Sequence, residues 1–141
     1  MQATLQKGPC RGFDLARVLL VDDDLSSRLT LTAVLEAGGY FVDSAASAAE
    51  AVGMLDERQY ELVLSDLQME SPEAGLKVIA HARHMEYKPA TAIVTTYRTM
   101  RSDHLRPMLI ESEDLPNLLG KVADLISQRA ARIVHRQLRQ A

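Results

Sequence analysis

The chain has 141 residues, of which 47% are hydrophobic and 25% charged, with a mean hydropathy of −0.09; this is the make-up of one globular domain that buries its own core, and it excludes disorder as the whole description. A net charge of −3 argues against general nucleic-acid binding, and the single cysteine, Cys10, excludes an internal disulfide or a thiolate metal site. No apolar run approaches the ~20 residues of a membrane span and no signal-peptide pattern opens the chain, so the expectation is a cytoplasmic protein without membrane contact.

Short aliphatic runs alternate with segments of helical spacing. Residues 1–16 hold Gly8, Pro9 and Gly12 and read as a flexible tail. Arg17 to Val21 is apolar throughout, as a central parallel strand covered on both faces should be, and it ends in Asp22, Asp23 and Asp24. A helix is expected from about Ser26 to Ala37, with Leu31, Val34 and Leu35 inward, Asp24 as its cap and Gly38 and Gly39 ending it. Tyr40 to Asp43 reads as a strand. Ser47 with Glu50 is a capping box opening a helix to about Glu57, with Ala51, Val52 and Leu55 on its apolar side.

Leu62 to Ser65 is the next strand and stops at Asp66; LQMESPEA after it is a loop, and Gly75 to Met85 a helix. Thr91 to Thr95 is a strand ending in the hydroxyls of Thr95 and Thr96. The stretch YRTMRSDHLRP has no firm period and predicts a short helix or a loop. Met108 to Ile110 is a brief fifth strand, and Asp114 and Pro116 start a last helix that buries Leu115, Leu118, Leu119, Val122, Leu125 and Ile126. The order predicts an α/β fold, a doubly wound five-stranded parallel sheet, whose ligand crevice lies at the carboxyl ends of the strands.

Asp22, Asp23, Asp66 and Thr95 occupy those ends. Carboxylates gathered in one crevice repel each other unless a cation or a proton neutralises them. Magnesium suits oxygen donors of this kind, with Asp23 and Asp66 as direct ligands and Asp22 acting through water. A carboxylate beside such an ion can attack a phosphoryl group while a hydroxyl shares the developing charge. The plainer alternative is that strand-end aspartates only cap the helices that follow, which is the expectation for Asp24.

The motifs VLLVDDD, LVLSDLQM and AIVTT, in this order and at these intervals, resemble the receiver domain of two-component response regulators, a flavodoxin-like fold, over residues 17–126. The resemblance implies that Asp22 and Asp23 are the acidic pair, Asp66 the phosphoacceptor, Thr95 the switch hydroxyl and Gln68 the residue whose backbone carbonyl meets Mg²⁺. It also implies a phosphoryl donor, either a histidine kinase or a histidine phosphotransfer protein, and an unspecified downstream protein, with no enzymatic role beyond slow self-dephosphorylation.

Four departures from the family stand out. Glu111 falls where the family has a lysine that pairs with the acceptor phosphate, which reverses the sign there; Arg98 and Arg101 are candidate replacements. The fourth helix is expected to be shortened or missing, and Met108 replaces the usual aromatic switch residue. The loop MESPEAG holds one residue more than usual. Residues 127–141 form a basic helical extension, with Arg129, Arg132, Arg136 and Arg139, that reads as a solvated helix, a dimerising or partner-binding helix, or a contact with an acidic surface. His81 and His84 receive no role.

Two other functions compete. One is a phosphorylation-independent pseudo-receiver acting as an interaction module, which Glu111 favours. The other is a small haloacid-dehalogenase-type phosphatase, in which Asp22 and Asp24 are the D-x-D pair; it leaves Asp66 unexplained.

Overall fold

The computed structural model describes residues 16–66, 71, 73–95, 108–111 and 115–140. The expectations for the N-terminal tail, for Gln68, for Arg98 and Arg101 and for the fourth helix lie outside the described residues.

Among the described residues, four helices accompany the strands β1 (Arg17–Val21), β2 (Phe41–Ala45), β3 (Leu62–Asp66), β4 (Ala90–Thr95) and β5 (Met108–Glu111). The strands form a parallel sheet in the order β2-β1-β3-β4-β5, and the chain reverses direction of travel across the sheet between β2 and β3. This is a flavodoxin-like arrangement, and its switch point lies between β1 and β3.

Strand alternation assigns the two cores. Val18 and Leu20 of β1, Leu62 and Leu64 of β3 and Ala92 and Val94 of β4 face α1 (Leu25–Ala37) and α4 (Leu115–Gln140). Leu19, Val21, Val63 and Ile93 face α2 (Ala48–Glu57) and α3 (Ala74–Arg83). Leu31 and Leu35 of α1, Leu55 of α2 and Val78 of α3 complete these layers, all of them fully or almost fully buried. Both sheet faces are covered, which is why β1 and β3 carry no alternating polar residues.

Local signals set the element ends. Asp24 caps α1 by accepting a hydrogen bond from Ser27 N at 2.8 Å, and Ser47 caps α2 by accepting from Glu50 N at 3.1 Å. The Glu50 carboxylate turns back to accept from Ala46 N at 2.9 Å. Helix α1 stops at Gly38, and Gly39 takes a left-handed φ of 99°, which a Cβ would oppose. The last helix runs unbroken to Gln140, 26 residues or about 39 Å, so the basic extension continues it rather than following a break.

Candidate functional site

The register brings the acidic strand ends together. Val21 lies opposite Ser65, so Asp22, the next residue after β1, stands level with Asp66 at the end of β3. Asp22 is held firmly. Its N–H donates to Ala45 O at 3.0 Å, its carbonyl accepts from the Arg28 guanidinium at 2.7 Å, and its Oδ1 accepts from Asp24 N at 2.9 Å. Only 3% of Asp22 is exposed, whereas Asp66 is half-buried and Asp23 open to solvent.

One carboxylate oxygen from each of Asp22, Asp23 and Asp66 can be chosen so that all three lie within 4.8 Å of one another. Burial pushes the Asp22 carboxyl above its usual range; the neighbouring charges of Asp24 and Asp23 push the same way, while hydrogen bonds from Asp24 N and with the Asp66 carboxyl oppose it. A proton or a divalent cation relieves the repulsion among carboxylates brought this close. Three convergent carboxylates of graded burial are a hard-oxygen donor set, which fits Mg²⁺ and offers nothing to a soft metal.

Asp66 is positioned by two residues that the sequence did not single out. Buried Ser65 donates its hydroxyl to Asp66 O at 3.3 Å. Gly75, in the first turn of α3, lies so close to β3 that a Cβ there would come within 2.5 Å of Asp66 O and 3.3 Å of Ser65 Oγ. Its glycine is required by this approach, since no side chain fits between the helix and the acceptor strand. The visible signal was a glycine just inside a helix start, which propensity alone leaves unexplained. Arg28, holding the Asp22 carbonyl from one turn into α1, carried no sequence signal.

Thr95 closes β4, and its Cα is paired in register with Glu111 of β5. Glu111 therefore belongs to the same end of the sheet as Asp66. His81 is a surface partner of Asp56, Nε2 to Oδ1 2.8 Å.

Fold and site together define a flavodoxin-like α/β domain with an acidic pocket over its switch point. The chain matches the family described as the response regulator receiver domain over residues 18–108, and it belongs to that family. It is 31% identical over 85 residues to the transcriptional regulatory protein ZraR of Escherichia coli O157:H7, an alignment covering 60% of this chain and 19% of the relative. It is 37% identical over 76 residues to a gliding motility regulatory protein of Myxococcus xanthus, covering 54% of this chain and 9% of the relative. The chain thus spans less than a fifth of either relative. Among solved structures, the response regulator protein TrrA of Thermotoga maritima, in complex with Mg²⁺–BeF, is 29% identical with a TM-score of 0.69, and the superposition covers 79% of this chain and 99% of that one. Receiver domains act in two-component signalling, bind Mg²⁺ in their acidic pocket, and interact with kinases or phosphotransfer proteins and with downstream effectors. Among the described residues, no helix is long and apolar enough to cross a membrane.

Proposed function

We propose that this protein accepts a phosphoryl group on Asp66, with Mg²⁺ held by Asp22, Asp23, Asp66 and the backbone carbonyl of Gln68, and signals through protein contacts in a two-component or phosphorelay pathway. The observation that carries this reading is the convergence of three carboxylates within 4.8 Å at the switch point. Such crowding is unfavourable in a domain that never binds a cation, because substituting one member would relieve it.

The chemistry follows from the residues. An Asp66 carboxylate oxygen attacks the phosphorus of a phosphohistidine or acyl phosphate, a P–O bond forms, and the bond to the donor nitrogen or oxygen breaks with its electron pair leaving on the donor. The cation, when bound, offsets the negative charge shared by the carboxylates and the phosphoryl oxygens. Asp22 and Asp23 hold that charge in place, and Ser65 and Gly75 fix the strand end from which Asp66 projects. Thr95 supplies the hydroxyl that meets the new phosphate. The protein is a phosphoryl acceptor rather than a turnover enzyme, its donor is a histidine kinase or histidine phosphotransfer protein, and its setting is the cytoplasm.

One observation supports a second reading. Glu111 stands in register with Thr95, where a cation would stabilise the phosphorylated state, and a carboxylate there opposes it. On that reading the domain is a pseudo-receiver that works by constitutive interaction. Incubation with Mg²⁺ and acetyl phosphate, followed by intact-mass measurement, separates the two. Phosphoryl acceptance predicts one added phosphoryl group that is absent in Asp66→Asn. No adduct on a folded protein supports the pseudo-receiver.

A further inference from the structure

Helix α4 carries one stripe of side chains whose chemistry changes where the helix leaves the domain. Leu118, Val122 and Leu125 pack on the sheet, and the same 4-3 spacing continues as Arg129, Arg132, Arg136 and Arg139. The arginine stripe is therefore the continuation of the face that binds the body. Arg129 marks the changeover, donating from Nε to Lys88 O at 2.9 Å and from Nη2 to Tyr87 O at 2.6 Å in the turn before β4. Beyond it, residues 130–140 run about 16 Å past the amino-terminal edge of the sheet, the end opposite Asp66.

Among the described residues, this projecting segment has no side-chain partner. Arg132, Arg136 and Arg139 are exposed and, among the described residues, make no hydrogen bond or ion pair. Its other side is apolar: Ile133 is half-buried, while Val134 and Leu138 are 53% and 69% exposed.

The same end of the molecule carries the opposite charge. Tyr87, whose carbonyl anchors Arg129, also lines a hollow whose charged residues are Asp56, Glu57, Glu86 and Arg58, the last of them paired with Asp43 at 3.2 Å, so acid prevails there. Glu57 and Glu86 are exposed and also unpaired among the described residues. The imbalance holds for the whole chain: residues 127–141 contain four arginines and no acid, which leaves 12 basic against 19 acidic residues in the rest. A straight helix cannot fold its own arginines back into the hollow beside its root. A second copy can supply them.

We propose that the occupant of this surface is a second copy of the chain, joined end to end about a two-fold axis. The arginine stripe of each α4 lies against the Glu57–Glu86 edge of the other protomer, and the two projecting helices pass antiparallel along their Ile133, Val134 and Leu138 side. Adjacent patches of opposite sign at one end of a molecule are self-complementary under a two-fold rotation, as an isologous contact requires. The excess of acid in the body disfavours a nucleic acid or an anionic membrane as the occupant. The assembly leaves Asp22, Asp23 and Asp66 open at the far ends, so it holds whether or not Asp66 accepts phosphate.

Sedimentation equilibrium of the full chain at ~100 µM in about 50 mM and about 500 mM salt tests the proposal. The expected result is a dimer at low salt whose dissociation constant rises at least tenfold at high salt. The triple variant R132E/R136E/R139E and the double variant E57K/E86K each weaken the dimer by at least tenfold at low salt, and combining all five substitutions restores it. All five positions are exposed, and circular dichroism melting confirms that each variant is folded. A monomer at low salt overturns the proposal, as does a dimer indifferent to both charge reversals.

Discussion

The two ends of the sheet handle charge in opposite ways. At the amino-terminal end, the polar groups packed around Asp43, Glu61 and Tyr87 are paired. Asp43 accepts from Tyr60 Oη at 2.8 Å and sits 3.2 Å from Arg58 and 3.7 Å from Arg17, the Glu61 carboxylate accepts from Arg17 N at 2.8 Å, and Tyr87 donates its hydroxyl to Leu55 O at 3.0 Å. At the carboxyl-terminal end, Asp22, Asp23 and Asp66 converge. Arg28, the cation seen to reach Asp22 there, is spent on its main-chain carbonyl rather than on a carboxylate. The first end is tied together by these pairs, while its exposed Glu57 and Glu86 and Arg132, Arg136 and Arg139 of α4 stay unpaired among the described residues. At the second, among the described residues, three carboxylates converge, and a bound cation would offset their charge.

This contrast can be broken at either end. The largest effect is expected at Gly75. A methyl group there meets the Asp66 carbonyl, so Gly75→Ala should destabilise the domain by about 2 kcal/mol, read by urea unfolding, and should also lower phosphoryl uptake by displacing the acceptor. An unchanged uptake would show that the helix, not the acceptor strand, gives way.

Asp22→Asn should do the reverse in metal-free buffer at neutral pH and stabilise the protein by about 1 kcal/mol. The amide keeps the hydrogen bond from Asp24 N and removes a buried charge. The pH dependence has a definite sign. The folded Asp22 carboxyl lies above its ordinary value of 3.8 because of burial, so the folded state holds its proton more tightly than the unfolded state. Its contribution to stability is full below 3.8 and falls as pH rises through the raised folded value. The asparagine variant should lack that fall in thermal melts across acidic pH.

Tyr60→Phe probes the paired end and should cost about 1 kcal/mol through loss of the hydrogen bond to Asp43, with no change in phosphoryl uptake. Burial and Asp43 raise the Tyr60 hydroxyl above its ordinary value of 10.0, so it stabilises the fold below that pH and the benefit is lost as pH rises further. Burial raises Tyr40 and Tyr87 in the same direction, so the phenylalanine variant should show a weaker alkaline loss of stability, not its absence.

Much of this architecture was legible in the sequence because the signals were local. The buried runs at 18–21 and 62–65, the Asp24 and Ser47 caps and the glycine stop of α1 each depend on residues within one turn of each other. The convergence of Asp22, Asp23 and Asp66 was readable for a different reason: parallel strands of similar length end at one edge, so acidic strand ends must meet there. What was not legible depends on contacts between distant segments. Arg129 was read only as part of a basic extension, and its grip on the carbonyls of Tyr87 and Lys88 joins residues 42 and 41 positions apart. Gly75 was read only as the start of a helix, whereas its physical requirement comes from the approach of α3 to β3. Strand and helix ends also moved by a residue or two: β2 is Phe41–Ala45 rather than 40–43, and α3 is Ala74–Arg83 rather than 75–85.

The central claim, that the acidic end is an unbalanced site completed by a divalent cation, is tested most directly by thermal melting of the wild-type protein and of Asp23→Asn across a Mg²⁺ titration. Binding to the folded state alone should raise the wild-type melting temperature steadily with concentration, reaching about 2.7 kcal/mol of added stability at a hundredfold excess over the dissociation constant. Asp23→Asn should show little of this rise. A wild-type melting curve that stays unchanged in saturating Mg²⁺ would contradict the account.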